Sequence, residues 1–115
     1  MKLAVIGSRT LEDTDMEQYL PAGITEIVTG GAKGIDTAAM RYAEEHGIPV
    51  KVFLPDYKRY GRGAPLRRNT EIIDYSDEVL ALWDGKSRGT AFVIKECEKR
   101  GKKVQVIISN ENKQI

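Results

Sequence analysis

Cysteine is almost absent from this chain, which has Cys97 alone among its 115 residues. A single cysteine excludes an internal disulfide bond and a zinc site built from several cysteines. Long hydrophobic runs are missing too: the opening apolar run at residues 3–6 is too short for a signal peptide. No stretch approaches the roughly 20 apolar residues of a membrane-spanning helix. We therefore expect a cytoplasmic protein without membrane contact, and no metal site is predicted.

A strong excess of charge of either sign is also lacking. The 18 basic and 17 acidic residues leave a net charge of +1, which excludes a generally basic nucleic-acid binder. The distribution is less even, because five basic residues and no acidic residue lie between Lys58 and Arg68. This segment favours a small anionic ligand or a local basic patch, and a solvated loop is the alternative.

What is present is typical of one soluble globular domain. Hydrophobic residues make up 41% and charged residues 30% of the chain, and the length suits a single domain. We assign residues 1–115 to that domain, with a polar tail over residues 110–115 that we expect to be frayed.

Short apolar runs alternate with helical patterns along the whole chain. The runs predict strands over residues 3–6, 24–28, 50–54, 78–82 and 104–108. Helices are predicted over residues 12–20, from Ile35 to a stop at Gly47, from Pro65 through Ile73, and over residues 87–100. Strand–helix alternation predicts an α/β fold, a Rossmann-like parallel sheet with helices on both faces. For five strands the expected order is 3-2-1-4-5.

Three loops that follow predicted strands have an unusual composition. Each combines glycine, a basic residue and a hydroxyl side chain, and they cover residues 7–9, 29–36 and 83–90. In a sheet of this order, ligands bind beyond the carboxyl ends of the strands, between the first and fourth strands. We therefore expect these loops to converge at one crevice.

Their composition suits the binding of a phosphate group. Glycine lets the backbone approach an anion closely, and a helix N-terminus adds unpaired N–H donors. Asp36 has two interpretations, either accepting from a ribose hydroxyl or interacting favourably with its helix N-terminus. The candidate ligand-binding residues in these loops are Gly7, Ser8, Arg9, Thr29, Gly30, Gly31, Ala32, Lys33, Gly34, Asp36, Asp84, Lys86, Ser87, Arg88, Gly89 and Thr90.

Two common nucleotide motifs do not fit. A P-loop ending at Gly85-Lys86-Ser87 would need its first glycine where Leu80 stands, inside a predicted strand. The dinucleotide fingerprint Gly-x-Gly-x-x-Gly is absent after the first strand. The chain is therefore neither a typical P-loop NTPase nor a typical NAD enzyme.

An ordered set of motifs resembles the SLOG superfamily, and most of all its small YpsA-related branch. The superfamily also contains DprA/Smf proteins and Lonely Guy phosphoribohydrolases, and the resemblance runs from Lys2 to about Val106. It implies a Rossmann-like fold, nucleotide-type ligands bound by the glycine loops, and a homodimer. It adds Arg68 and Asn69 as candidate ligand-binding residues. The motifs are Gly7-Ser8-Arg9, Thr29-Gly30-Gly31-Ala32-Lys33-Gly34-Ile35-Asp36, Arg68-Asn69 and Trp83-Asp84-Gly85-Lys86-Ser87-Arg88-Gly89-Thr90.

The resemblance leaves catalysis open. Lonely Guy enzymes carry Pro-Gly-Gly-x-Gly-Thr-x-x-Glu, and alignment on Gly89-Thr90 puts Val93 at the position of the glutamate. Valine cannot move a proton or stabilise an oxocarbenium ion. Glu96 is the nearest carboxylate on that helix, and its spacing favours a surface role. No catalytic residue is assigned.

We therefore expect a binding protein for a nucleotide or nucleotide-derived phosphate ligand, acting as a sensor or accessory protein. No cofactor is required. The alternatives are a nucleoside-monophosphate phosphoribohydrolase and a DprA-like binder of single-stranded DNA. The net charge disfavours DNA binding, although the basic segment 58–68 keeps nucleic acid as a weaker partner.

Three aromatic residues have two interpretations, and two other residues have one. Trp83 could stack on a base or cover the edge of the core, and Tyr57 and Tyr60 could form a wall over the site or belong to a surface loop. Cys97 is predicted to fill the core. His46 is predicted to lie at a helix end without a catalytic role.

Overall fold

The computed structural model describes residues 1–8, 16–31 and 34–108. Its strands are β1 (Lys2–Gly7), β2 (Glu26–Thr29), β3 (Val50–Val52), β4 (Glu78–Trp83) and β5 (Val104–Ile108). Its α-helices are α1 (Ile35–Glu45), α2 (Tyr57–Tyr60), α3 (Ala64–Tyr75) and α4 (Arg88–Arg100). Single 3-10 turns occur at Met16–Gln18 and Gly61–Gly63.

The strands form one parallel sheet in the order β3-β2-β1-β4-β5. The predicted α/β, Rossmann-like fold and its strand order are thereby confirmed. In the centre of the sheet, Val5 of β1 lies opposite Leu80 of β4. From β1 the chain adds β2 and β3 on one side, and then returns to add β4 and β5 on the other side of β1. The strand order therefore reverses between β1 and β4, and in such folds ligands bind in the crevice between the loops that follow these two strands.

Two layers of apolar side chains cover the two faces of the sheet. Leu3 and Val5 pack with α1 on one face, while Ala4 and Ile6 pack with α3 and α4 on the other. Successive residues of a strand point to opposite faces, so a strand covered on both sides needs a continuous apolar run. This is why residues 3–6 have no polar member.

The ends of some elements differ from the predicted ones. β2 begins at Glu26, which pairs with Lys2 of β1, and β3 ends at Val52, which pairs with Thr29 of β2. Within the described part of the predicted helix 12–20, the only helical structure is the turn Met16–Gln18. The predicted frayed tail, 110–115, lies outside the described residues.

A loop is one interpretation of the basic segment, but residues 57–63 are helical and form α2 and a 3-10 turn. The Oδ1 atom of Asp56 accepts a hydrogen bond from the Arg59 N–H at 3.1 Å and caps α2. In α3, which begins with Pro65 in its first turn as predicted, Ile72 and Ile73 are buried, but Leu66 is exposed. Leu66 therefore does not belong to the apolar face of this helix.

The buried face of α4 consists of three residues. Thr90, Val93 and Cys97 are buried, whereas Ala91 and Ile94 are half-buried beside a separate groove. Among the helices in the described part of the chain, none has the length and apolar character needed to span a membrane.

Candidate functional site

A crevice of about 240 Å³ lies at the carboxyl ends of β1 and β2, beside the start of α4. The loops that follow β1, β2 and β4 meet here, together with α3. Eight of the predicted site residues line it, along with Ile6. The eight are Gly7, Gly30, Asp36, Arg68, Asn69, Ser87, Gly89 and Thr90.

Gly30 connects Asp36 and Arg68, the two charged residues that line the crevice within the described part of the chain. Its N–H donates to Oδ2 of Asp36 at 3.0 Å, and its carbonyl oxygen accepts from Nη1 of Arg68 at 2.8 Å. Asp36 is 6% exposed and lies in the first turn of α1. Its carboxylate therefore ties the loop after β2 to α1, a role that neither interpretation of the sequence included.

Arg68 is held in place by neutral acceptors. Besides the Gly30 carbonyl, Nη1 is 3.3 Å from the carbonyl oxygen of Phe53, and Nε donates to Oδ1 of Asn69 at 2.8 Å. Within the described residues, Arg68 has no carboxylate partner. As far as the described part of the chain shows, the crevice wall thus carries a positioned positive charge without an ion pair.

Asn69 extends this polar wall. It is 8% exposed, and its Oδ1 atom is used by Arg68. Asn69 lines the crevice, and its amide also has an Nδ2 donor group. A side-chain amide of this kind can donate to a phosphate oxygen or a base edge.

The N-terminus of α4 forms the opposite wall. Ser87 caps the helix, because its Oγ atom accepts from the Thr90 N–H at 3.4 Å. The first N–H groups of a helix have no acceptor within it and carry a partial positive charge. Gly89, which lacks a side chain, leaves this backbone open to the crevice.

Gly7 allows the crevice to be compact. A Cβ atom at this position would lie 2.3 Å from the Cβ atom of Ile35, far inside van der Waals contact. Only glycine therefore lets the first turn of α1 pack directly against the end of β1.

Several predicted ligand-binding residues instead hold the loops together. The buried Ser8 accepts a hydrogen bond from the Asp84 N–H at 3.1 Å and joins the first loop to the third. Oδ1 of Asp84 accepts from the N–H groups of Lys86 and Ser87, both at 2.8 Å. Thr29 is buried, and its Oγ1 atom accepts from the Gly31 N–H at 3.3 Å.

The other predicted residues do not line the crevice or are not described. Gly34 is the buried residue at the start of α1, and Gly31 and Lys86 are exposed. A Cβ atom on Gly31 would face Val52 and Leu54. Arg9, Ala32 and Lys33 lie outside the described residues.

Arg88 lines a different surface feature, an apolar groove of about 350 Å³ along α4. Trp83 and Phe92 line the same groove. Nε1 of Trp83 donates to the carbonyl oxygen of Ser87 at 3.0 Å, so the indole ring is fixed beside the start of α4. Neither Arg88 nor Trp83 lines the crevice.

Val93, at the position where Lonely Guy enzymes have glutamate, is completely buried in the core. Glu96 is 3.5 Å from both Lys99 and Arg100, on the surface of α4. Cys97 is buried as predicted, and burial raises the pKa of its thiol. His46 ends α1 and stacks on Tyr42, with 4.0 Å between ring centroids.

Sequence reasoning did not include Ile6 in the site or the Phe53 carbonyl as a support of Arg68. Ile6 lies in a predicted buried strand, and its position directly before Gly7 places it at the carboxyl end of β1, where the crevice lies. A backbone carbonyl carries no signal in the sequence, so the contact with Phe53 had none.

The model of the YspA, cpYpsA-related SLOG family matches residues 1–60. This range contains β1, β2, α1 and β3, with both glycine-containing loops of the first half of the sheet. No curated protein gives a significant match, and no solved structure does.

Proposed function

Because the chain belongs to the YspA, cpYpsA-related SLOG family, we propose that it binds a nucleotide or nucleotide-derived phosphate ligand in the crevice. Its role in this proposal is that of a sensor or accessory protein. One observation carries the proposal: the Arg68 guanidinium, which has no carboxylate partner within the described residues, shares a glycine-lined crevice with the N-terminus of α4.

A phosphate group suits this pair of features. Guanidinium and phosphate form charge-assisted hydrogen bonds, and a helix N-terminus favours anions through its N–H groups and dipole. Asp36 lines the same crevice, and a carboxylate accepts from hydroxyl groups but repels a phosphate. We therefore expect the phosphate to lie against Arg68 and α4, with a ribose hydroxyl towards Asp36.

Binding without hydrolysis is the simpler proposal for this site. The glutamate position of the Lonely Guy motif is the buried Val93, and Glu96 is engaged in surface ion pairs. Asp36 is the only carboxylate on the crevice lining within the described residues, and it already bonds to the Gly30 N–H. Glycosidases generally use a pair of carboxyl groups.

The first test is calorimetric titration of the protein with the four nucleoside 5′-monophosphates, followed by two arginine variants. Arg68→Ala removes the guanidinium from the crevice and should weaken binding by about 1.5–3 kcal/mol, the range for hydrogen bonds to charged groups. Arg88→Ala is the matched control, because Arg88 lines the separate groove on α4 and its loss should leave the affinity nearly unchanged.

Circular dichroism and thermal unfolding of both variants show whether each is folded. The proposal is contradicted if no nucleotide binds to a protein that is free of bound ligand. A loss of affinity in Arg88→Ala but not in Arg68→Ala would move the phosphate out of the crevice.

A further inference from the structure

A second cavity, of about 210 Å³, lies between α2 and α3 on the far side of Arg68. Arg68 lines both this cavity and the crevice. Arg59 and Arg67 complete its basic part, and Tyr60 lines it as well. The two spaces are therefore neighbours that share Arg68 as a lining residue.

Tyr60 brings two further positive charges together in this cavity. The guanidinium carbon of Arg59 is 5.3 Å from the centre of the Tyr60 ring, and that of Arg67 is 5.1 Å from it. A cation within about 6 Å of an aromatic ring is attracted by the ring quadrupole. Both guanidinium groups thus contact the Tyr60 ring and belong to residues that line the same cavity, where their positive charge favours an anion.

The carboxylates around the cavity do not neutralise it. Asp56 caps α2 by accepting from the Arg59 backbone N–H, and within the described residues the guanidinium of Arg59 has no ion pair. Glu71 is 3.9 Å from Nε of Arg67, and these side chains are 41% and 58% exposed. Such an exposed pair is weak and exchanges readily for a better acceptor. Among the described residues, three arginines and two acidic residues line this cavity, which leaves its lining with one net positive charge.

The volumes of the two spaces also suit a ligand that occupies both. The crevice, at about 240 Å³, and the second cavity, at about 210 Å³, are each smaller than the roughly 300–1,000 Å³ of typical ligand pockets. A nucleotide that filled one of them would extend beyond it. Because Arg68 lines both spaces, the neighbouring cavity could hold the part that extends.

We propose that this second cavity is the subsite for another phosphoryl group of the same ligand, an inference that rests on the proposed function. The ligand class is then a small nucleotide with two phosphoryl groups, one against Arg68 and α4 and one against Arg59 and Arg67. The second group comes either from a 5′-diphosphate chain or from a 3′-phosphate. Recognition is electrostatic in both cases.

The test compares three probes that share one base, the base of the tightest-binding 5′-monophosphate. These are the 5′-monophosphate, the 5′-diphosphate and the 3′,5′-bisphosphate, each titrated by calorimetry. At least one two-phosphate probe should bind about tenfold or more tightly than the monophosphate. This is the gain in affinity expected from one additional charge-assisted hydrogen bond. The probe with this advantage identifies the source of the second group.

Two variants locate the effect. Arg59→Ala and Arg67→Ala should each remove most of the tenfold advantage and leave the affinity for the monophosphate unchanged. Both side chains are exposed, so their loss should not affect folding. Arg62→Ala is the matched control, because Arg62 belongs to the same basic segment but lines neither cavity, and it should retain the full advantage.

Each result has a distinct meaning. Equal affinity for the three probes, or an advantage that survives in both Arg59→Ala and Arg67→Ala, overturns the second subsite and leaves the proposed function intact. Failure of every monophosphate to bind contradicts the proposed function itself. A single-stranded oligonucleotide that binds more tightly than all three probes, with a steep loss of affinity in salt, overturns the small-ligand class.

Discussion

Gly30 is the residue on which the charges of the crevice depend. Its two backbone polar groups bond to Asp36 on one side and to Arg68 on the other. A Cβ atom at this position would lie 2.5 Å from Nη1 of Arg68. The glycine is therefore explained by the side chain that packs over it rather than by an unusual backbone conformation.

Gly30→Ala should weaken nucleotide binding while the protein remains folded. The methyl group would displace the flexible end of Arg68, which costs little stability, but the guanidinium would leave its position in the crevice. We expect nucleotide affinity to fall by up to about tenfold, in line with the loss of one charge-assisted contact, with a small change in melting temperature. Titration calorimetry and thermal unfolding measure the two effects.

Gly63→Ala is the control for this substitution. A Cβ atom on Gly63 meets nothing within 4 Å, and its φ of −81° suits alanine. Equal affinity of Gly30→Ala and the wild type would show that the position of Arg68 does not matter for the ligand.

At the scale of elements, α4 serves the site and the core with different parts of the same helix. Its N-terminus opens onto the crevice through Gly89, while Val93, about one turn later, is completely buried among apolar residues of the sheet and α3. A glutamate at position 93 would therefore point into the core and not into the crevice.

Val93→Glu consequently tests whether the missing glutamate could be restored. An unpaired carboxylate in the core is strongly unfavourable, and we expect a loss of several kcal/mol in the free energy of unfolding. Chemical denaturation measures this loss. Lys95→Glu, on the exposed side of the same helix, adds the same group and should change stability by no more than about 0.5 kcal/mol.

A stable Val93→Glu variant that cleaves nucleoside monophosphates would contradict this account of α4. It would show that position 93 reaches the crevice and that the chain is one substitution away from a hydrolase.

At the scale of the whole molecule, Cys97 reports on the integrity of the fold. Its side chain is completely buried in the layer between the sheet and the helices α3 and α4. Burial raises the pKa of the thiol, against the opposing effect of nearby Lys102 and Arg100. A thiol reagent therefore reaches Cys97 only when this layer opens.

We expect labelling of Cys97 by an aromatic disulfide reagent to be slow in the native protein and fast in denaturant. A bound nucleotide stabilises the native state by mass action and should slow the labelling further. Rapid labelling of the native protein would mean that the layer over Cys97 is open in solution. The variant Cys97→Ala is the blank for the assay.

The raised thiol pKa also predicts the sign of a pH effect. The unfolded chain loses the thiol proton above about pH 8.5, while the native state retains it, so the contribution of Cys97 to stability is full below this pH and decreases above it. The free energy of unfolding should therefore fall more steeply between pH 8 and 10, roughly the range of thiol ionisation, in the wild type than in Cys97→Ala. Parallel curves in denaturant titrations would contradict this assignment.

The fold could be predicted from the sequence because its signals are local. Each apolar run and each helical pattern lies within a few residues, and right-handed crossovers leave few orders for five parallel strands. The sequence also indicated which loops meet, because the carboxyl ends of parallel strands share one edge of the sheet. It therefore determined by itself the strand order and the edge of the sheet at which these loops meet.

Only the tertiary structure decided which side chains face that crevice. The SLOG resemblance makes Arg68 a candidate and the composition of its loop makes Arg88 one. Arg68 bonds to Gly30, which is 38 positions away in the chain, while Arg88 lines the groove on α4. Asp36 likewise bonds to Gly30 across the loop. The direction of a side chain depends on packing between distant segments, and residue spacing contains no information about it.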